Sequence, residues 1–313
     1  MRRLVVLALV IAACASQSSG DNNPGSDGSG SSNPGSGSNP GNTGDGAGGL
    51  TFAVVGDTRP ASVDDTSNYP TPIITKIYQD IAATAAQFVV STGDYQYAST
   101  TGSDQQPQVD LYMTARGAFA GPLYPAMGNH ECTGYTDSNC GSGNPDGITK
   151  NYTTFLTTML GPINQTLPYY TENVAAPDGS WTAKLVFVAC NAWTTAQGTW
   201  LTQQLTMSTT YTFVVRHESA ADMSTTKCAA SQTIINAHPL TLLIVGHTHE
   251  YSHEKSAKEI INGIGGAPLT SGTNYGYTIV SRNSDGTLGV TTYDYMTHAT
   301  IDSFTIKADG TAG

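Results

Sequence analysis

Residues 50–313 read as one α/β domain, a largely parallel sheet clothed by helices with a second, mixed sheet stacked on it. Three observations predict this. Apolar runs of strand length alternate with segments of helical length, the pattern of parallel strands joined by crossover helices. The runs end in polar residues, mostly after glycine, where an open α/β sheet gathers its ligands. Towards the C-terminus the alternation gives way to closely spaced β-rich runs around a hairpin signal.

The elements follow in order. LTFAVVGD (50–57) is a strand; behind Pro70 and Pro72, Ile73, Ile74, Ile77 and Ile81 then recur at helical spacing. FVVSTGD (88–94) leads to a helix near 105–119, and LYPAMGN (123–129) to one near 151–160. KLVFVAC (184–190) precedes a helix near 196–207, whose Trp200, Leu201 and Leu205 should pack inward. YTFVVRH (211–217) precedes a helix near 229–237, and TLLIVGH (241–247) closes the series. GIGGAP (263–268) is a tight turn near the strand ends or a plain connection between sheets. YGYTIVSRNSDGTLGVTTYDYM (275–296) gives two strands around Asp285-Gly286, and HATIDSFTIK (298–307) a last one; these are expected to build the second sheet.

The first fifty residues contribute nothing to this core. In MRRLVVLALVIAACAS, Arg2 and Arg3 precede an apolar run too short to span a bilayer, then small residues and Cys14, which reads as a secretory signal. The small residues before Cys14 resemble the lipobox of bacterial lipoproteins. That resemblance implies a signal peptide over 1–14 with Cys14 lipidated; an ordinary signal peptide with an incidental cysteine is the alternative. Ser16 rather than Asp follows Ala15, so the inner-membrane retention signal of such lipoproteins is missing. The outer membrane or cell surface is favoured, with the periplasm as alternative. Residues 15–49 are almost wholly Gly, Ser, Asn, Pro and Asp, a disordered tether that cannot bury apolar area.

Net charge is −11, and removing Arg2 and Arg3 leaves 11 basic against 24 acidic residues, −13. Nothing here forms a basic footprint for nucleic acid or for anionic lipid, so attachment to a membrane would rest on the lipid alone. Beyond Cys14, Cys132, Cys140, Cys190 and Cys228 allow three disulfide pairings in an exported protein. Cys132 and Cys140 bracket a Gly/Asn/Asp-rich loop and are the favoured pair, leaving Cys190 with Cys228. The Cys-x-x-Cys spacing of a zinc site is absent.

Asp57, Asp94, Asn129, His217 and His247 each end a predicted strand, and His249 follows one residue after Thr248. Singly, an aspartate here would be a turn or cap residue. Together, carboxylate, amide oxygen and imidazole at one sheet edge suit hard or borderline metal ions.

The blocks GDTR (56–59), GDYQY (93–97), GNHE (128–131), VVRH (214–217) and GHTH (246–249) resemble, in order, those of the calcineurin-like metallophosphoesterases, with Tyr97 similar to the purple acid phosphatase branch. The resemblance spans residue 51 to about 268. It implies a four-layer αββα sandwich of two stacked mixed sheets and two metal ions bridged by Asp94. Asp57, Tyr97 and His249 would hold metal one; Asn129, His217 and His247 would hold metal two. Around metal one, two carboxylates and a tyrosinate favour Fe(III). Metal two, with one shared charged ligand, suits Zn(II), Mn(II) or Fe(II).

The implied function is a phosphohydrolase cleaving phosphate monoesters by metal-activated hydroxide attack, exported and lipid-tethered. A phosphodiesterase or nucleotide pyrophosphatase on the same scaffold, or a non-catalytic surface-displayed binding protein, are the alternatives. His130 would bond phosphate or protonate the leaving alkoxide, and Glu131 would orient His130. Many relatives place a metal-binding histidine two residues after the first aspartate, where this chain has Arg59. A guanidinium carries only donors, so Arg59 either binds substrate phosphate or pairs with a carboxylate such as Asp64 or Asp65. His238, His253 and His298 fall outside the blocks and are taken as surface or supporting residues.

Overall fold

The structure is a computed structural model that describes residues 49–270 and 274–313. The expected signal peptide, Cys14 and all but the last residue of the tether lie outside the described residues.

In chain order the elements are β1 (Thr51–Val55), α1 (Thr71–Ala82), β2 (Phe88–Ser91), α2 (Gln105–Arg116), β3 (Leu123–Pro125), α3 (Lys150–Thr154), β4 (Tyr170–Ala175), β5 (Thr182–Phe187), α4 (Thr195–Thr206), β6 (Tyr211–Val215), α5 (Ala229–Asn236), β7 (Leu242–Val245), β8 (Tyr251–Glu254), β9 (Glu259–Asn262), β10 (Gly276–Arg282), β11 (Leu288–Asp294) and β12 (Thr300–Ile306). Helix α1 buries Ile74, Ile77, Tyr78 and Ile81, one stripe at helical spacing, and has Pro70 just before its first residue and Pro72 in its first turn. Helices α3 and α4 are capped by Thr149 and Thr194, whose side chains accept from Tyr152 N and Gln197 N.

Two mixed sheets of six strands result, flanked by helices. One runs β12-β11-β10-β1-β2-β3 and the other β4-β5-β6-β7-β9-β8. Phe52 of β1 meets Phe213 of β6 edge to face at 5.2 Å, so the two sheets face each other across the main core. On the far side of the second sheet Val186, Val214, Leu243 and Val245 pack with Leu201 and Leu205 of α4 and Ile235 of α5. The alternation of β6 and β7 residues between these two clusters is the pleat of strands buried on both faces.

The second sheet is not where the sequence places it. The C-terminal strands extend the first sheet, with β10 antiparallel to β1 from Thr51↔Ser281 to Val54↔Thr278. Parallel β1 has β2 on one side and needs a partner on the other; β10 supplies those backbone hydrogen bonds. The second sheet comes from the middle of the chain, where β5, β6, β7 and β9 are parallel and β4 and β8 are antiparallel edges. Both expected disulfides are present, Cys132–Cys140 with Cα atoms 5.6 Å apart and Cys190–Cys228 at 4.9 Å.

Candidate metal centre

Asp57 and Asp94 leave β1 and β2 in the left-handed backbone region at φ 56° and 59°, and His247 and His249, beyond β7, share it at 76° and 54°. Such conformations cost roughly 1–3 kcal/mol each for non-glycine residues and persist only where the surroundings impose them. The glycines of the blocks make room: a Cβ on Gly246 would collide with Asp57 Oδ2, and one on Gly128 with Asp94 Oδ1. His217 is fixed from behind. Arg216, fully buried, donates from Nε to Glu218 O at 2.8 Å and from Nη1 to Ser231 Oγ in α5 at 3.2 Å.

Six of the predicted ligands converge. Atoms of Asp57, Asp94 and His249 lie within 4.8 Å of one another. Asn129 Oδ1 lies 3.0 Å from His217 Nε2 and 3.2 Å from His247 Nδ1, and those two nitrogens are 3.2 Å apart. Asp94 Oδ1 joins the halves, 3.3 Å from His217 Nε2. The ring of Tyr97 packs edge-on to His130 at 4.5 Å, under the Arg59 guanidinium at 4.7 Å.

The outer hydrogen bonds decide which way the donors face. His217 Nδ1–H donates to Thr92 O at 2.8 Å and His249 Nδ1–H to Pro268 O at 2.9 Å, so both Nε2 lone pairs can face the site. Asn129 Nδ2 donates to Gly134 O at 2.7 Å, turning Oδ1 inward. Amide oxygen and imidazole nitrogen acceptors thus stand against each other in a buried space, an arrangement that suits a cation between them. Burial works against charge on His217, yet Asp94 and Asp57 raise its pKa well above the ordinary histidine value. The proton they favour stands where a metal ion would. Burial, with His217 nearby, pushes His247 down to about 4, and burial pushes His130 to about 3, so both rings are neutral. For Asp94 burial favours the acid, but His217, His130 and Arg59 outweigh it and hold the carboxyl well below its usual range. The residues fit a pair of metal ions.

A profile of the family Calcineurin-like phosphoesterase matches residues 50–251. The chain belongs to that family. No curated protein matches the chain in sequence. Solved structures similar in fold include two phosphatases. One is purple acid phosphatase PPD1 from yellow lupin (Lupinus luteus) seeds, at TM-score 0.59 and 16% identity over 83% of this chain and 54% of that one. The other is a dimetal phosphatase from Danio rerio, at TM-score 0.55 and 12% identity over 83% and 99%. This phosphoesterase therefore spans about half the length of the lupin chain. Family membership implies a dinuclear metal centre, with the buried Asp57, Asp94 and His249 group within it.

Two expectations change. Glu131 does not face His130: its buried carboxylate accepts backbone N–H groups of Asp94 at 2.8 Å, Tyr95 at 2.9 Å and Gly128 at 2.9 Å, binding the Asp94 loop to the Asn129 loop. Nor does Arg59 pair with Asp64 or Asp65, which accept from Ser99 N and from Asn68. Its Nε lies 3.6 Å from Asp94 Oδ2 and makes no hydrogen bond among the described residues. His238 bonds Ile234 O, and His253 and His298 lie 3.5 Å and 3.8 Å from carboxylate oxygens of Asp302 and Asp80, away from the centre. Sequence reasoning missed Thr92, Thr136 and Pro268, which orient the imidazoles through two backbone carbonyls and one loop hydroxyl. Such partners carry no residue-type signature.

Proposed function

We propose that this phosphoesterase is a dinuclear-metal phosphohydrolase of phosphate monoesters, exported and tethered to a membrane through Cys14. The observation that carries the reading is the convergence of Asn129 Oδ1, His217 Nε2 and His247 Nδ1 beside a carboxylate, Asp94, that reaches the Asp57 and His249 side as well. Asp57, Tyr97 and His249 would hold Fe(III), Asn129, His217 and His247 would hold Zn(II), Mn(II) or Fe(II), and Asp94 would belong to both. The chemistry such a pair supplies when bound is Lewis acidity, acidifying a water and neutralising phosphate charge. Asp94 keeps both halves charged and in register. His130, its own N–H on Asp94 Oδ1 at 3.1 Å, offers its ring to a phosphate oxygen or to the leaving alkoxide. Asp57, Asp94, Asn129, His217 and His249 are buried around these contacts, while Arg59, Tyr97 and His247 are partly exposed.

Produced at full length in a bacterium that processes lipoproteins, the protein should fractionate with membranes, bind two metal ions and turn over phosphomonoesters faster than bis-esters. The oxidised protein should be coloured by tyrosinate-to-iron charge transfer, and Tyr97→Phe should bleach it. Equal or faster bis-ester turnover overturns the monoester reading. A soluble protein with an unmodified N-terminus overturns the tether, and a colourless, fully active two-zinc protein overturns the iron assignment.

Arg59, with a buried Nε that lacks an acceptor, would bind a phosphate oxygen beside Asp94. Arg59→Ala should keep both metals while kcat/KM for phosphate esters falls about tenfold or more, about 1.4 kcal/mol of transition-state binding. Unchanged kinetics would make Arg59 structural, and loss of a metal would make it a support for Asp94.

A further inference from the structure

Each imidazole of the centre needs its outward nitrogen held if its inward lone pair is to face a cation. His217 and His249 use the backbone carbonyls of Thr92 and Pro268. The outward nitrogen of His247, Nε2, instead lies 3.3 Å from a side-chain hydroxyl, Thr136 Oγ1. Thr136 sits in the loop closed by the Cys132–Cys140 disulfide. Two further contacts bind that loop to the same half of the site: Gly134 O accepts from Asn129 Nδ2 at 2.7 Å, and Gly134 N donates to Asn129 O at 2.9 Å. From the other side the fully buried Asn191, next to the Cys190–Cys228 disulfide, donates from Nδ2 to Thr136 O at 3.1 Å and to Ser138 O at 3.2 Å. Cys140 N in turn donates to Asn191 O at 2.7 Å.

We propose that Thr136 is a positioning residue for metal two, holding His247 so that Nδ1 faces the ion, and that the 132–140 loop is the strap that sets both His247 and Asn129. The inference rests on the dinuclear reading above. Nδ1 of His247 faces Asn129 Oδ1 and His217 Nε2, so without a cation it is suited to carry the proton, with the Thr136 hydroxyl donating to Nε2. When an ion occupies Nδ1 the proton must sit on Nε2, and the same hydroxyl then accepts it. A hydroxyl can serve both tautomers, whereas a carbonyl can only accept.

The test is Zn(II) affinity measured by competition with a chromophoric chelator on the whole protein, comparing wild type with Thr136→Val and Thr136→Ser. Valine keeps the shape and removes the hydroxyl; it should weaken the second ion 10–100-fold and leave the first unchanged, and serine should restore most of the loss. A wild type that binds two ions while Thr136→Val binds both equally well overturns the inference alone. Equal weakening of both ions by valine, unrescued by serine, also overturns it by showing general disruption. A wild type that binds no second ion overturns the dinuclear reading and this inference with it.

Discussion

Asp94→Asn should lose at least one metal ion and at least about a thousandfold in kcat, about 4 kcal/mol of barrier. The substitution is nearly isosteric, so the amide oxygen can still accept from His130 N, the bond Asp94 Oδ1 makes at 3.1 Å. What disappears is the negative charge that faces His217 at 3.3 Å and Arg59 at 3.6 Å. In a buried site an uncompensated guanidinium is itself costly, so the variant is left with positive charge where it must bind cations. Metal analysis of the purified variant with steady-state rates on a phosphomonoester checks this, and an unchanged thermal transition of the metal-free protein would separate charge loss from misfolding. Two retained ions would show that Asp94 is not shared.

Glu131→Ala should destabilise the fold by about 3 kcal/mol or more. Its carboxylate is buried and accepts three backbone N–H groups, those of Asp94, Tyr95 and Gly128. Alanine leaves these donors without an acceptor, and each buried unsatisfied donor costs about 1–3 kcal/mol. The two loops they belong to carry Asp94 and Asn129, so metal content should fall even where the protein remains folded. Chemical denaturation of both proteins without metal measures the first effect, and metal analysis below the transition measures the second. A stability within about 0.5 kcal/mol of wild type would mean that water replaces the carboxylate.

The ligands were legible because their positions coincide with the strongest sequence signal available, the abrupt end of an apolar run at Gly-Asp, Gly-Asn or Gly-His. Gly128 and Gly246 leave space for the carboxylates of Asp94 and Asp57, while Gly56 and Gly93 leave it for Thr92 and for the backbone of Gly128. The Cys132–Cys140 pairing was legible because its loop is short. Sheet membership was not. β10 and β11 are clear as strands, but period-two alternation says which face is buried and nothing about which distant strand is the neighbour. β8 and β9, of four residues each, are too short and too polar to stand out as apolar runs. The roles of Glu131 and Thr136 escaped for a different reason: their partners are backbone amides and an imidazole on other loops, contacts fixed only once the two sheets are stacked.

The split composition of the first sheet bears on how the domain can be cut. The family match ends at residue 251, and every predicted ligand lies before it. A chain ended there would carry the complete ligand set yet lack β10, β11 and β12, half of the sheet that positions Asp57, Asp94 and Asn129. Its β1, hydrogen-bonded on one side only, would expose an unpaired edge, apolar in all but Thr51, in place of the ladder from Thr51 to Val54. During synthesis the same gap stays open until β10 has emerged, after every predicted ligand. The chain order in which the ligands appear is therefore not the order in which a working centre can form, since the residues that make the first strand a central one follow every ligand.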